Sequence, residues 1–144
     1  MATIGEPAPD FSLTDQHGDT VTMADQRGHR TLVFFYPRAN TPGCTNQACG
    51  LRDISGDIGD VAIIGISPDT PRQQLNWDEK HSLGCPLLSD PDHVVAEAFG
   101  AWGEKKNYGK TYDGIIRSAY LIGADGTIEQ AWRKISPKDT PTKL

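Results

Sequence analysis

The sequence predicts an α/β fold, a central mixed sheet flanked by helices, on three observations. Two continuous apolar runs, Thr31-Leu32-Val33-Phe34-Phe35-Tyr36 and Val61-Ala62-Ile63-Ile64-Gly65-Ile66, are β-rich and lack the alternation of a sheet with one wet face, so both read as strands covered on both sides. After each run comes a Thr-Pro pair, Thr41-Pro42 and Thr70-Pro71, with the signature of a helix start. Threonine caps free N–H groups, and proline suits the first helical position because its missing N–H would be unpaired there anyway. The third observation is a pair of short β-rich segments late in the chain, 118–122 and 128–132, around the turn Ala124-Asp125-Gly126.

Taken in order, Phe11-Ser12-Leu13-Thr14 and Thr20-Val21-Thr22-Met23 alternate around the turn-rich Gln16-His17-Gly18-Asp19, which predicts an N-terminal β-hairpin extension. The two apolar runs follow as central parallel strands. The helix between them opens at Thr41-Pro42 and carries Cys44 in its first turn; the next opens at Thr70-Pro71 and continues through Gln74, Leu75 and Trp77 towards His81. Pro86-Leu87-Leu88 is a short apolar piece, Val94-Val95-Ala96-Glu97-Ala98-Phe99 a short helix, and the two late segments form a closing hairpin. Alternating β and α elements closed by a hairpin predict a thioredoxin-like sandwich. The 144 residues are expected to form a single domain, 1–144, large enough to bury about two-thirds of its unfolded surface without staples or metals. Thr140-Pro141 repeats the helix-start signal just before the chain ends, so a last helix is expected to be missing.

Charge and hydropathy exclude several classes of function. A net charge of -5, with no basic cluster larger than Lys105-Lys106, argues against a nucleic-acid partner, whose affinity would come from grouped Lys and Arg. No apolar run approaches the length of about 20 residues that a bilayer span needs, and Met1-Ala2-Thr3-Ile4-Gly5-Glu6 lacks the basic start and apolar core of a secretory signal. A cytoplasmic location is expected. Three cysteines cannot all pair within one chain, and a domain of this size needs no disulfide framework, so the thiols are expected to be reactive.

The segment Pro37-Arg38-Ala39-Asn40-Thr41-Pro42-Gly43-Cys44 leaves the first central strand and delivers a cysteine to a helix N-terminus at the carboxyl edge of the sheet, where α/β folds build their sites. A thiolate there feels the partial positive charge of the helix end, which lowers the pKa from about 8.5 into a range of roughly 3.5 to 7.5. The competing reading of Cys44 is a small buried hydrophobe; the polar neighbours Thr41, Thr45 and Asn46 speak against it.

Pro37-x-x-x-Thr41-x-x-Cys44 resembles the Pro-x-x-x-Thr-x-x-Cys signature of the peroxiredoxins. The longer stretch Thr41-Pro42-Gly43-Cys44-Thr45-Asn46-Gln47-Ala48-Cys49-Gly50-Leu51-Arg52-Asp53 resembles the bacterioferritin comigratory, or Q-type, branch, as do Leu87-Leu88-Ser89-Asp90, Gly103-Glu104-Lys105 and Gly109-Lys110-Thr111-Tyr112. The resemblance covers nearly the whole chain. It implies a thiol peroxidase that reduces hydrogen peroxide and organic hydroperoxides, in which Cys44 is the nucleophile and becomes a sulfenic acid. Thr41 would hold the thiolate and the peroxide oxygen, and Pro37 would wall the pocket from water. Arg117 would favour the thiolate and stabilise charge on the peroxide oxygens; its alternative is a surface ion pair.

The resemblance further implies that Cys49 resolves the sulfenic acid as an intramolecular disulfide. Five residues along an ideal helix separate two Cα atoms by roughly 8.7 Å, beyond the usual disulfide limit of about 7 Å, so the first turns must unwind for the bond to form. Gly50 eases that unwinding. The alternative for Cys49 is a core position on a helix face. Cys85, in Gly84-Cys85-Pro86, is read as structural at a buried strand entrance, with an alternative resolving thiol or an interchain pair left open.

Neither cofactor nor metal is implied. The resemblance points to thioredoxin as reductant, with glutaredoxin as the alternative, and to a monomer. A thiol-disulfide oxidoreductase would want Cys-x-x-Cys, which the Cys44 and Cys49 spacing is not. A metal module has only His81 with Cys85 and Cys44 with Cys49 as candidate pairs, and a holdase leaves the Pro37–Cys44 pattern unexplained. His17, His29 and His93 are expected in solvated or turn positions, and Phe99 and Trp102 along an apolar approach to the site.

Overall fold

The structure is a computed structural model that describes residues 4–26, 28–37, 50, 61–81, 83, 85–107 and 110–132. In chain order the described elements are β1 (Ser12–Thr14), β2 (Thr20–Thr22), a 3-10 turn (Ala24–Gln26), β3 (Arg30–Phe35), β4 (Val61–Ser67), α1 (Pro71–His81), β5 (Leu87–Ser89), α2 (Val94–Phe99), β6 (Trp102–Asn107), β7 (Lys110–Ile115), β8 (Ser118–Ile122) and β9 (Ile128–Trp132). The two apolar runs are β3 and β4, paired in parallel at the centre of a seven-stranded sheet of order β2-β1-β5-β4-β3-β8-β9. Antiparallel β8 on one side of β3 and parallel β5 on the far side of β4 make the sheet mixed. This is the predicted thioredoxin-like arrangement.

Both faces of the sheet are covered, as uniformly apolar strands require. On one face Val33 and Phe35 join Ile64, Ile66, Tyr120 and Phe99; on the other Leu32, Phe34 and Tyr36 join Trp77, Leu83 and Leu87. Each of these large side chains contributes about 1.5–3 kcal/mol by leaving water. The Phe35, Phe99 and Tyr120 rings meet at centroid distances of 5.2 to 6.0 Å, and the Tyr120 hydroxyl donates to the Phe99 carbonyl, so the one polar atom of the cluster is satisfied.

α1 begins where the Thr-Pro signal puts it. Gln73 N–H donates to Thr70 Oγ1 at 3.2 Å while Gln73 Oε1 accepts from Thr70 N–H at 2.8 Å, a reciprocal capping box. The helix turns Gln74 and Trp77, three residues apart, onto the sheet. α2 is entered through His93 in the left-handed region (φ 51) and ends at Gly100 (φ 81), where a side chain would be strained. The buried Asp90 carboxylate accepts from Ala96 N–H at 3.0 Å and holds the start of α2.

The N-terminal hairpin forms as expected, but β1 also pairs with β5 at Thr14 and Ser89, so it extends the main sheet. Asp15 organises its turn, its Oδ1 accepting from His17 N–H and Asp19 N–H. One element was not expected: β6 and β7 form a separate two-stranded ribbon. The Trp102 ring stacks on His93 at 3.7 Å, and Ile116 N–H donates to the Ala101 carbonyl. No helix among the described residues is long and apolar enough to cross a membrane.

Candidate active site

Strand register brings the ends of three strands to one edge. Phe35 lies opposite Ser118 in the antiparallel β3–β8 pair and beside Ile66 in the parallel β3–β4 pair. Tyr36 follows Phe35, Ser67 follows Ile66 and Arg117 precedes Ser118, so all three lie next to that edge. The Tyr36 N–H makes a last ladder bond to the Ile66 carbonyl at 3.2 Å. Pro37 has no N–H to continue the ladder, so the chain leaves the sheet there. Pro37 and Arg117, both half-buried, therefore stand at the same carboxyl edge although 80 positions separate them in the sequence. Thr41, Cys44 and Cys49 lie outside the described residues, as does the helix start predicted at Thr41-Pro42; Gly50, which is described, is helical.

Beneath this edge runs a polar chain. The fully buried Tyr36 hydroxyl donates to Gln74 Oε1, and Gln74 Nε2 donates to Ser67 Oγ at 2.9 Å and to the Leu88 carbonyl at 3.1 Å. Ser67 Oγ in turn donates to Asp69 Oδ2 at 2.6 Å and accepts from Asp69 N–H at 3.2 Å. Burial holds the Tyr36 phenol well above its ordinary pKa, against the lowering effect of its hydrogen-bonded neighbours Ser67 and Gln74. The phenol stays a neutral donor. The sequence marks Gln74 only as part of a helix; the available signal is its spacing of three from Trp77, which puts a polar residue on the buried face.

Cys85 sits at the other end of β5, packed against the Trp77 side of the core. It borders a cavity of about 210 Å³ lined also by Asp15, Gln16, His17, Asp78 and Pro86. Burial of the thiol, with Asp78 adding its negative charge, pushes the Cys85 pKa up to about 12, so it is not a thiolate at neutral pH. Gln16 closes this corner: its Nε2 donates to Asp78 Oδ2 at 3.0 Å and the Cys85 carbonyl at 2.8 Å, and its Oε1 accepts from Leu87 N–H at 2.8 Å.

One expectation changes. Phe99 is completely buried against Phe35 and Tyr120 and belongs to the core, not to an approach; Trp102 remains half-buried under His93. His93 stands in a turn as expected, its N–H donating to the Asp90 carbonyl at 2.9 Å, and it also carries that stack and lies 3.3 Å from the Glu97 carboxylate. His17 is exposed and His29 half-buried. Among the described residues no group of three or more His, Cys, Asp or Glu side chains could hold a metal ion.

The mixed sheet, with Pro37 and Arg117 at the carboxyl edge of its central strands, is thioredoxin-like, and comparison with known proteins gives the family. The AhpC/TSA family matches residues 4–131, and the chain belongs to it. Peroxiredoxin Bcp of Escherichia coli K12 is 53% identical over 130 residues, covering 89% of this chain and 83% of that protein. A putative peroxiredoxin bcp of Haemophilus influenzae is 50% identical over 139 residues, covering 95% and 90%. Among solved structures, a peroxiredoxin Q mutant of Xanthomonas campestris superposes with a TM-score of 0.89 at 32% identity, covering 99% of this chain and 93% of its own. The bacterioferritin comigratory protein of the same organism, solved as trapped intermediate and ligand complexes bearing on its alkyl peroxide reduction, also scores 0.89, at 31% identity and 99% and 94% coverage. This chain is thus a peroxiredoxin of the Bcp and Q type, a thiol peroxidase that acts on a peroxide and draws on a thiol reductant.

Proposed function

We propose that Cys44 is the peroxidatic thiol and that Cys49 resolves it. The Cys44 thiolate attacks the nearer oxygen of a hydroperoxide; the O–O bond breaks, the leaving alkoxide or hydroxide takes a proton, and sulfur becomes a sulfenic acid. Thr41 holds thiolate and peroxide through its hydroxyl, Pro37 keeps water out, and Arg117 stabilises the charge that develops on the oxygens. The Cys49 thiolate then displaces hydroxide from the Cys44 sulfenic acid, giving the Cys44–Cys49 disulfide and, after protonation, water. Thioredoxin, a dithiol, reopens that bond by exchange. The working unit is a monomer of one domain, in the cytoplasm, where glutathione and thioredoxin keep resting thiols reduced.

The observation that supports this reading best is the register of β3 against β8. It puts Pro37 and Arg117 at the edge from which the chain sets out towards Cys44, an arrangement that a structural cysteine would not call for. The raised pKa of Cys85 favours Cys49 over it as resolving thiol, because only a thiolate attacks the sulfenic sulfur.

Mapping the disulfide tests the scheme. Pre-reduced protein treated with about one equivalent of peroxide should yield a peptide linking Cys44 to Cys49 that thioredoxin opens; a link from Cys44 to Cys85, or between chains, would overturn the assignment of Cys49. Glutaredoxin in place of thioredoxin is the arm that checks the reductant. Hydrogen peroxide and an alkyl hydroperoxide are both expected to be consumed, in line with the alkyl peroxide reduction for which the Xanthomonas relative is described.

A further inference from the structure

We propose that Gln74, in α1 and outside the cysteine motif, is a positioning residue for peroxide reduction, acting by clamping the Tyr36 hydroxyl and so fixing where the chain leaves β3 for the nucleophile. The proposal rests on Cys44 being that nucleophile. Three observations carry it. Pro37 cannot donate to the sheet, so among the described residues of this strand the final backbone donation is Tyr36 N–H to the Ile66 carbonyl, and the Tyr36 hydroxyl adds a side-chain tie at the same residue. Gln74 is completely buried, and both ends of its amide are used: the oxygen by Tyr36, the nitrogen by Ser67 on β4 and the Leu88 carbonyl on β5. One side chain of α1 thereby fastens the ends of three neighbouring strands. Ser67 passes the chain on to Asp69, whose carboxylate and N–H both engage the Ser67 hydroxyl, so every link in the run from Tyr36 to Asp69 has its donors and acceptors matched.

Packing alone does not require an amide at position 74. Tyr36 already lies against Trp77 at a ring distance of 5.0 Å and against Phe34 at 5.4 Å, so an apolar residue would fill the same face. What the amide adds is direction. It gives the phenol a fixed acceptor beside Ser67, and so sets the ring, at the residue that adjoins Pro37. A displacement of about 1 Å at a reacting centre costs up to about 100-fold in rate, so a small loosening here should be readable in kinetics.

The test uses full-length, pre-reduced protein. Parent, Tyr36→Phe, Gln74→Leu and the double variant are compared by the second-order rate constant with hydrogen peroxide, its pH profile and the thermal midpoint, with Cys44→Ser and Gln16→Ala alongside. Gln16→Ala breaks a buried amide with three hydrogen bonds in the corner around Cys85 and serves as a control for lost stability alone. Tyr36→Phe and Gln74→Leu should each slow the reaction roughly tenfold, within the range that misplacement allows, and move the pH midpoint upward as Cys44 loses its optimal surroundings. Gln16→Ala should melt earlier yet react at the parent rate. The double variant, with phenol and amide both replaced by apolar groups, should regain melting temperature relative to Gln74→Leu without regaining rate. Should rate and melting temperature recover together, or should Tyr36→Phe react at the parent rate with an unmoved midpoint, the amide is only structural and the proposal fails while the Cys44 reading stands. If Cys44→Ser consumes peroxide at the parent rate, both fall.

Discussion

A methyl group added at Gly65 probes how tightly the site is founded on the central strands. Gly65 lies in β4 opposite Phe34, and an ideal Cβ there would sit 2.8 Å from Phe34 Cζ, 2.9 Å from Tyr36 Cε1 and 3.0 Å from Leu87 Cδ2. All three neighbours are completely buried, and two are rings held against each other, so none can swing aside into solvent. Overpacking of this kind costs about 1–3 kcal/mol, partly offset by the roughly 0.5–1 kcal/mol that replacing a glycine within a strand returns. With about 2.1 cal/mol/K of unfolding entropy per residue, 144 residues make each kcal/mol worth about 3 °C. Gly65→Ala should therefore lower the thermal midpoint by up to about 8 °C at neutral pH. Because the methyl presses on the Tyr36 ring, the second-order rate with peroxide should fall as well. Differential scanning calorimetry and single-turnover peroxide consumption read the two effects. An unchanged or higher midpoint with an unchanged rate would refute the claim that β3 and β4 are packed without slack beneath the site.

Other expectations are independent of that one. In a Cys44→Ser/Cys49→Ser protein, Cys85 is the only thiol, and with its pKa near 12 it should react with iodoacetamide at pH 8 on the order of a thousandfold more slowly than an exposed cysteine; labelling at the ordinary rate would contradict the raised pKa of this half-buried residue. The same shift has a stability consequence. The folded state holds the Cys85 proton to higher pH than the unfolded chain, whose value is about 9, and Tyr36 is displaced in the same direction. Their contribution is complete below about pH 9 and is lost as pH rises towards 12, so urea midpoints should fall across that window, and less steeply in Cys85→Ala. Thr70→Ala removes one half of the capping box on α1 and should cost about 1 kcal/mol, or about 3 °C, with little effect on peroxide turnover.

Much of this molecule was legible in the sequence because local signals and burial agreed. The runs at 31–36 and 61–66 are apolar without alternation, and they are the two central strands. Thr70-Pro71 marked the second helix start because a threonine hydroxyl and a missing proline N–H act within a few residues, whatever lies elsewhere in the chain. The ribbon of β6 and β7 went unread for the opposite reason. Gly103, Glu104, Lys105, Lys106 and Asn107 have low β-propensity and no apolar alternation, so although β7 follows after only two residues, nothing but the pairing itself, from Trp102–Ile115 to Asn107–Lys110, marks them as strand. The seating of β1 on β5, through Thr14 and Ser89 and the Gln16 bond to Leu87, is nonlocal, and no window of local sequence connects those residues. Motif spacing marked Pro37 and the family resemblance marked Arg117, but it took strand register to bring them to one edge. Gln74 carried no motif at all, and only its partners, drawn from three strands, give it a role.

The measurement that bears most directly on the account is single-turnover consumption of hydrogen peroxide by pre-reduced protein with no recycling reductant, followed by intact mass, for the parent, Cys44→Ser and Cys49→Ser. The parent should consume about one peroxide per chain and lose the mass of two hydrogens, Cys44→Ser should consume none, and Cys49→Ser should stop at the sulfenic or sulfinic acid. Consumption by Cys44→Ser at the parent rate would contradict the account, because the nucleophile would then be another residue and the edge built by Pro37 and Arg117 would not be its site.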